Sequence, residues 1–135
     1  MTQRIYFGHP VNFYNTEKES ELIQKIQTRF PGAEIENPNH VKHQEGYKRY
    51  KGEDGKGNGM DYFFKEVLPP MIKGVFLPFE DGKFGAGVFK EANFMAESGK
   101  LIYEISLEGV ISEMKIDSSR MLSVEETRER VYGKK

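Results

Sequence analysis

The sequence predicts an α/β fold, a mainly parallel sheet of about five strands with about four helices covering both faces. Three observations carry this. The stretch from Gly74 to Ile105 reads as strand, glycine-rich loop, helix and strand in one pass, a βαβ crossover. Within it, Gly74 to Phe79 is a nearly continuous apolar run, the pattern of a parallel strand covered on both faces. Along the rest of the chain, short β-rich runs alternate with segments of helical periodicity.

Taken in order, Ile5-Tyr6-Phe7 is a short strand stopped by Gly8-His9-Pro10, where glycine permits unusual backbone angles and proline blocks further pairing. Thr16-x-x-Glu19 has the form of a capping box. Leu22, Ile23, Ile26 and Phe30 then recur at helical spacing until Pro31-Gly32, which predicts an amphipathic helix from about Thr16 to Arg29. Ala33 to Glu36 fits a short second strand closed by Asn37-Pro38.

Residues 37–59 are polar, glycine-rich and without a sustained period, although Glu45 to Tyr50 has room for a turn of helix. They are expected to form a polar loop insertion, either solvated or acting as a mildly basic lid over an anionic ligand. Met60, Phe63, Phe64, Val67, Leu68 and Met71 restore helical periodicity up to Pro69-Pro70. Asp61 falls in the first turn, where the helix dipole alone favours a carboxylate. After Glu80-Asp81-Gly82 a helix is expected over Gly85 to Ser98, stopped by Gly99. Leu101 to Ile105 and part of Val110 to Ile116 supply the last strands, and Ser123-x-x-Glu126 opens a final helix ending near Tyr132-Gly133. Glu53 to Gly59 and Glu80 to Gly87 both begin Glu-Asp-Gly-Lys, which reflects shared turn chemistry and not a repeat, since their flanks do not correspond.

A chain of 135 residues is expected to form one domain, 1–135, with a core large enough to need no disulfide or metal. The absence of cysteine excludes thiol nucleophiles and thiolate metal sites, and fits a cytoplasmic setting. Twenty basic against 21 acidic residues give no electrostatic case for nucleic acid or an anionic membrane. No apolar run reaches the roughly 18 residues of a spanning helix, and MTQRIYFGHP is too short in apolar residues for a signal peptide. The expected partner is a small molecule. His40 and His43 lack a third ligand at a matching spacing, so neither a metal nor a cofactor is expected.

Phosphate-loop, dinucleotide and serine-elbow motifs are all absent; Gly85-x-Gly87 is followed by Lys90 where a third glycine would belong. What remains is a carboxylate at a crevice. In the helix of Val88, Phe89, Ala92, Met95 and Ala96, a 100° step per residue puts Glu91 on the flank of the apolar stripe, near the helix N-terminus. Such a side chain is either solvated and matched to the dipole, or reaches into the cleft at the strand ends. In the cleft, an ionised carboxylate suits attack on an oxocarbenium-like sugar carbon.

Three segments resemble the nucleoside 2′-deoxyribosyltransferase-like family, which includes 2′-deoxynucleoside 5′-phosphate N-hydrolases. They are Ile5-Tyr6-Phe7-Gly8-His9-Pro10, Asn58-Gly59-Met60-Asp61, and Gly87-Val88-Phe89-Lys90-Glu91 through Ser98-Gly99-Lys100. The resemblance implies a flavodoxin-like three-layer sandwich and cleavage or transfer at an N-glycosidic bond of a deoxyribonucleoside or its 5′-monophosphate, by retaining double displacement. It implies Glu91 as nucleophile, Tyr6 as its hydrogen-bonding partner and Asp61 as acid/base or base-recognition group. Gly8, His9 and Pro10 are implied as walls of the sugar pocket, and Gly85 and Gly87 as backbone donors to a 5′-hydroxyl or 5′-phosphate. Asp81 or Glu80 would be the family's acidic residue before the glycine turn. A homo-oligomer is implied as well. Asn93 stands where the family usually has a glycine, and the asparagine that the transferases borrow from a neighbouring subunit has no counterpart here. The alternative is a non-catalytic nucleotide-binding or sensor domain of the same fold.

Overall fold

The computed structural model describes residues 3–133. Strand β1 (Arg4–Gly8) leads through a 3-10 turn at Val11–Phe13 into helix α1 (Glu17–Arg29). Next come β2 (Glu34–Glu36), α2 (Val41–Lys51) and α3 (Met60–Tyr62), the last running straight into a π-helical turn at Phe63–Val67. Strand β3 (Lys73–Phe76), helix α4 (Ala86–Glu97) and strand β4 (Leu101–Ile105) form the expected crossover. Strand β5 (Ile111–Glu113), a 3-10 turn at Ser118–Arg120 and helix α5 (Val124–Tyr132) complete the chain.

The five strands form one sheet in the order β2-β1-β3-β4-β5. The first four run parallel and β5 pairs antiparallel with β4. This is a flavodoxin-like α/β sandwich, whose strand order reverses direction between β1 and β3 and so opens a crevice at their carboxyl ends. In register, Tyr6 faces Gly74 and Gly8 faces Phe76 across that junction.

Strand alternation divides the core into two layers. Ile5, Phe7, Val75 and Leu77 point to one face, where Leu22 and Ile26 of α1 cover them. Tyr6 and Phe76 point to the other, against Phe63, Phe89, Ala92 and Met95. Because side chains alternate, Gly8 shares the Tyr6 face, and that is the face carrying α4.

The π-helical turn closes the helical stretch begun at Met60. Leu68 N–H bonds Phe63 O at 2.9 Å, five residues back, and the proline pair that follows cannot continue a helix. Lys100 instead donates its ammonium to Leu68 O and Pro69 O at 3.0 and 2.5 Å.

Residues 37–59 are not one polar loop: α2 occupies their centre. Its sequence hides it because, apart from the helix's tertiary partners, only His43 and Gly46 are buried, so no apolar stripe marks the period. His40 caps it by accepting from Lys42 N–H at 3.1 Å, and Lys48, Arg49 and Lys51 suit the dipole of its last turn. Gly46 lies directly against the Tyr62 ring, leaving no space for a side chain. His43 pins the helix by bonding Tyr62 Oη at 2.8 Å and Glu36 Oε2 at 2.7 Å.

The two N-terminal signatures have different outcomes. Ser123 and Glu126 form a full reciprocal capping box at α5. At α1 the Thr16 hydroxyl accepts from Glu19 N–H at 3.2 Å, but the Glu19 carboxylate turns away to other partners. No helix among the described residues is long and apolar enough to cross a membrane.

Candidate active site

At the β1/β3 junction lies a cavity of about 490 Å³. Its floor is Tyr6 and Glu91. α4 brings Glu91 over the end of β1, where Gly8 leaves space: a Cβ there would stand 3.2 Å from Glu91 Oε1 and 2.6 Å from the Phe76 ring. Glu91 is 5% exposed, although a carboxylate is almost never buried without partners. Its one hydrogen bond among the described residues comes from Tyr6 Oη, which donates to Oε2 at 2.6 Å.

Burial pushes the Glu91 carboxyl up to about 8, against the opposing pull of the Tyr6 hydrogen bond. Burial, and then the nearness of Glu91, raise the Tyr6 hydroxyl well above its ordinary value. Tyr6 therefore remains a donor, and at neutral pH the protonated form of Glu91 predominates.

One wall comes from the 9–14 turn, through His9, Val11 and Tyr14; α2 supplies the opposite wall with His43, Gln44, Tyr47 and Lys48. Met60, Phe63, Gly87 and Val88 close the sides, and Tyr132 of α5 stands at the rim. His9 is itself fixed. Its Nδ1 lies 3.0 Å from Phe7 O, a carbonyl that only accepts, so Nδ1 carries a proton. Its Nε2 lies 2.7 Å from Glu19 Oε2, a gap that must hold one further proton, whichever atom owns it. Burial lowers the His9 pKa, partly offset by Glu19. Burial likewise lowers His43, and Glu36 opposes that shift. Glu36, which burial alone would raise, is held below its ordinary value by His43, Arg4 and Lys42.

The residues singled out in the sequence separate into two sets. Tyr6, His9, Gly87 and Glu91 line this cavity, and Gly8 abuts Glu91 from the strand end. Pro10 is buried behind the wall and does not line it. Asp61 is half-buried and does not line the cavity; Met60 and Phe63 are the residues of that turn that do. Gly85 is turned toward α5: its Cβ position lies 3.1 Å from Thr127, whose hydroxyl accepts from Ala86 N–H at 2.9 Å. Of the glycine-rich loop only Gly87 is thus left facing the cavity. Asp81 is committed elsewhere, gripped by Arg130 at 2.7 and 3.1 Å, and that guanidinium pulls its carboxyl down to about 2. Glu80 borders a separate depression beside Glu104 and Arg120.

Tyr14 and Glu19 have no site role in the sequence reading, whereas the α2 residues fall in the segment read there as either solvated or a mildly basic lid. Glu19 had a visible signal, but the capping-box pattern accounts for a glutamate at that position without further role. Among the described residues no group of three or more His, Asp or Glu side chains gathers to hold a metal ion.

No protein-family model, no curated protein and no solved structure matches this chain.

Proposed function

We propose that this cavity cleaves the N-glycosidic bond of a deoxyribonucleoside or its 5′-monophosphate, with Glu91 as nucleophile. The observation that carries the reading is a buried carboxylate with one oxygen held by a tyrosine and the other beside a glycine, at the crevice of an open α/β sheet. Tyr6 occupies Oε2, so Oε1 is the oxygen free to attack C1′. As the Glu91–C1′ bond forms, the C1′–N bond breaks and the base leaves with the bonding pair, taking up a proton. Water then attacks C1′, gives up a proton and restores the carboxylate; another base in place of water gives transfer. The ionised form is needed, so kcat/KM should rise with pH through about 8.

The cavity's volume falls within the range of small-molecule sites, and five of its fifteen lining residues are tyrosine or phenylalanine. Asp61 has no part in this scheme, since it lies off the cavity wall. The cysteine-free composition suits a cytoplasmic enzyme. The family resemblance also implies a homo-oligomer, and exposed Val11 and Tyr132 at the rim are apolar groups that a second subunit would cover.

A panel of 2′-deoxynucleosides and their 5′-monophosphates, incubated with the purified protein and assayed for free base, tests the reading. Release from at least one substrate, abolished in Glu91→Ala, supports it; no release from any substrate rejects it. The burial of Glu91 with a single hydrogen-bond partner among the described residues favours a second reading, a nucleotide-binding or sensor domain: burial raises its pKa to about 8, and a protonated carboxyl would donate to a ligand instead of attacking it. That reading predicts a ligand-induced rise in melting temperature with no base released.

A further inference from the structure

Between β1 and α1 the chain crosses the cavity wall in one turn. Val11–Phe13 form a 3-10 turn, and Tyr14 caps it with N–H bonded to Val11 O at 3.0 Å. Asn15 then takes a left-handed backbone, φ 62°, the one non-glycine residue with positive φ among those described. Such a conformation is uncommon and persists when its surroundings hold it. Here they do. Asn15 N–H donates to Glu19 Oε1 at 3.2 Å, and Asn15 Oδ1 accepts from Asn39 Nδ2 at 2.9 Å. The other Glu19 oxygen holds His9, and the His9 ring packs against Tyr14 with centroids 5.1 Å apart.

Every element around Tyr14 is thus tied down, while its own hydroxyl has no hydrogen-bond partner among the described residues. The side chain is half-buried and lines the same cavity as Glu91. Burial and the nearby charges of Glu91 and Glu19 raise its pKa, so it is a permanent donor. The other tyrosines of the cavity differ: Tyr6 is already spent on Glu91, and Tyr47 and Tyr132 are exposed.

We infer that Tyr14 is a substrate-binding residue of this site, its hydroxyl donating a hydrogen bond to a hydroxyl oxygen of the pentose held against Glu91. The inference rests on the N-glycosidase reading for the identity of the sugar. Its physical basis is independent of the chemistry: a donor pre-positioned by a fixed turn meets a ligand oxygen without the cost of ordering a loop.

The test compares wild type and Tyr14→Phe on a 2′-deoxynucleoside that the wild type cleaves, and on its 3′-deoxy and 5′-deoxy analogues. The series is read both as kcat/KM for base release and as ligand-induced melting shift. Tyr14→Phe should keep the ligand-free melting temperature and lose roughly 10-fold or more in kcat/KM on the parent nucleoside. On one of the two analogues, the one lacking the paired hydroxyl, that loss should vanish. A loss of equal size on all three substrates, or no loss on any, overturns the inference. If no base is released but the melting shift depends on Tyr14 in this hydroxyl-specific way, the hydrolase reading fails and Tyr14 stands as a binding residue. If neither release nor shift is seen, both fail.

Discussion

Tyr6 and Glu91 lie 85 residues apart in the chain, and a hydrogen bond of 2.6 Å from Tyr6 Oη to Glu91 Oε2 joins them in space. Tyr6→Phe keeps the ring in its place between Phe63 and Phe76 and removes only the donor. The hydroxyl is what opposes the burial-driven rise of the Glu91 pKa, so its loss moves that pKa further up. The expected result is a fall of roughly 10- to 100-fold in base release at neutral pH, with the rising limb of the kcat/KM profile displaced to higher pH.

Glu91 also makes stability depend on pH in a predictable sense. Its folded pKa, about 8, stands above the ordinary 4.5, so between those values the unfolded chain binds fewer protons than the folded one. Its contribution to stability is therefore complete at and below about pH 4.5 and declines as pH rises toward about 8. Glu91→Gln does not titrate. Denaturant titrations should show the variant gaining on wild type as pH rises across that window, by on the order of 3–5 kcal/mol in the limit. A difference that stays flat from pH 5 to 8 would show that Glu91 is ionised throughout.

Gly8 is required by space and not by backbone angle. A methyl group there would press on Phe76 Cδ1 at 2.6 Å and on Glu91 Oε1 at 3.2 Å, and the Phe76 ring is fully buried with nowhere to retreat. Gly8→Ala should destabilise the fold by about 1–3 kcal/mol, measured as a lower denaturation midpoint, and should reduce base release beyond what the lost stability explains.

The His9–Glu19 pair offers a sharper comparison. Glu19→Ala leaves a buried imidazole nitrogen without a partner and frees Asn15 and Asn39, and should cost about 1–3 kcal/mol. Glu19→Gln can keep all three contacts. Its oxygen accepts from Asn15 and Asn39 while its amide donates to His9 Nε2, provided His9 carries its proton on Nδ1 as the Phe7 carbonyl requires. At pH 8 the Gln variant should therefore melt close to wild type and well above the Ala variant.

Most of the fold was legible because it follows from local period and punctuation. The apolar run at Gly74–Phe79, the crossover helix and the Ser123 capping box each state their conformation within a dozen residues; the helix and the box are present, and the strand is present over Lys73–Phe76, ending three residues before the run does. Helix α2 was legible only as a turn at Glu45–Tyr50, since it is held by His43 and by the fit of Gly46 to Tyr62, contacts with residues outside the helix that leave no apolar period behind. The site divides along the same line. Glu91 stands out from its distance behind a glycine loop, whereas Tyr6 and its hydrogen bond to Glu91 enter through the family resemblance alone. The absence of Asp61 from the cavity wall, the capture of Asp81 by Arg130 and the turning of Glu19 from its own helix cap to His9 depend instead on which elements the sheet order brings together. Side chains at one helix face or strand end compete for partners supplied by distant segments, and a hydrogen bond of a few ångströms is decided only once those segments have packed.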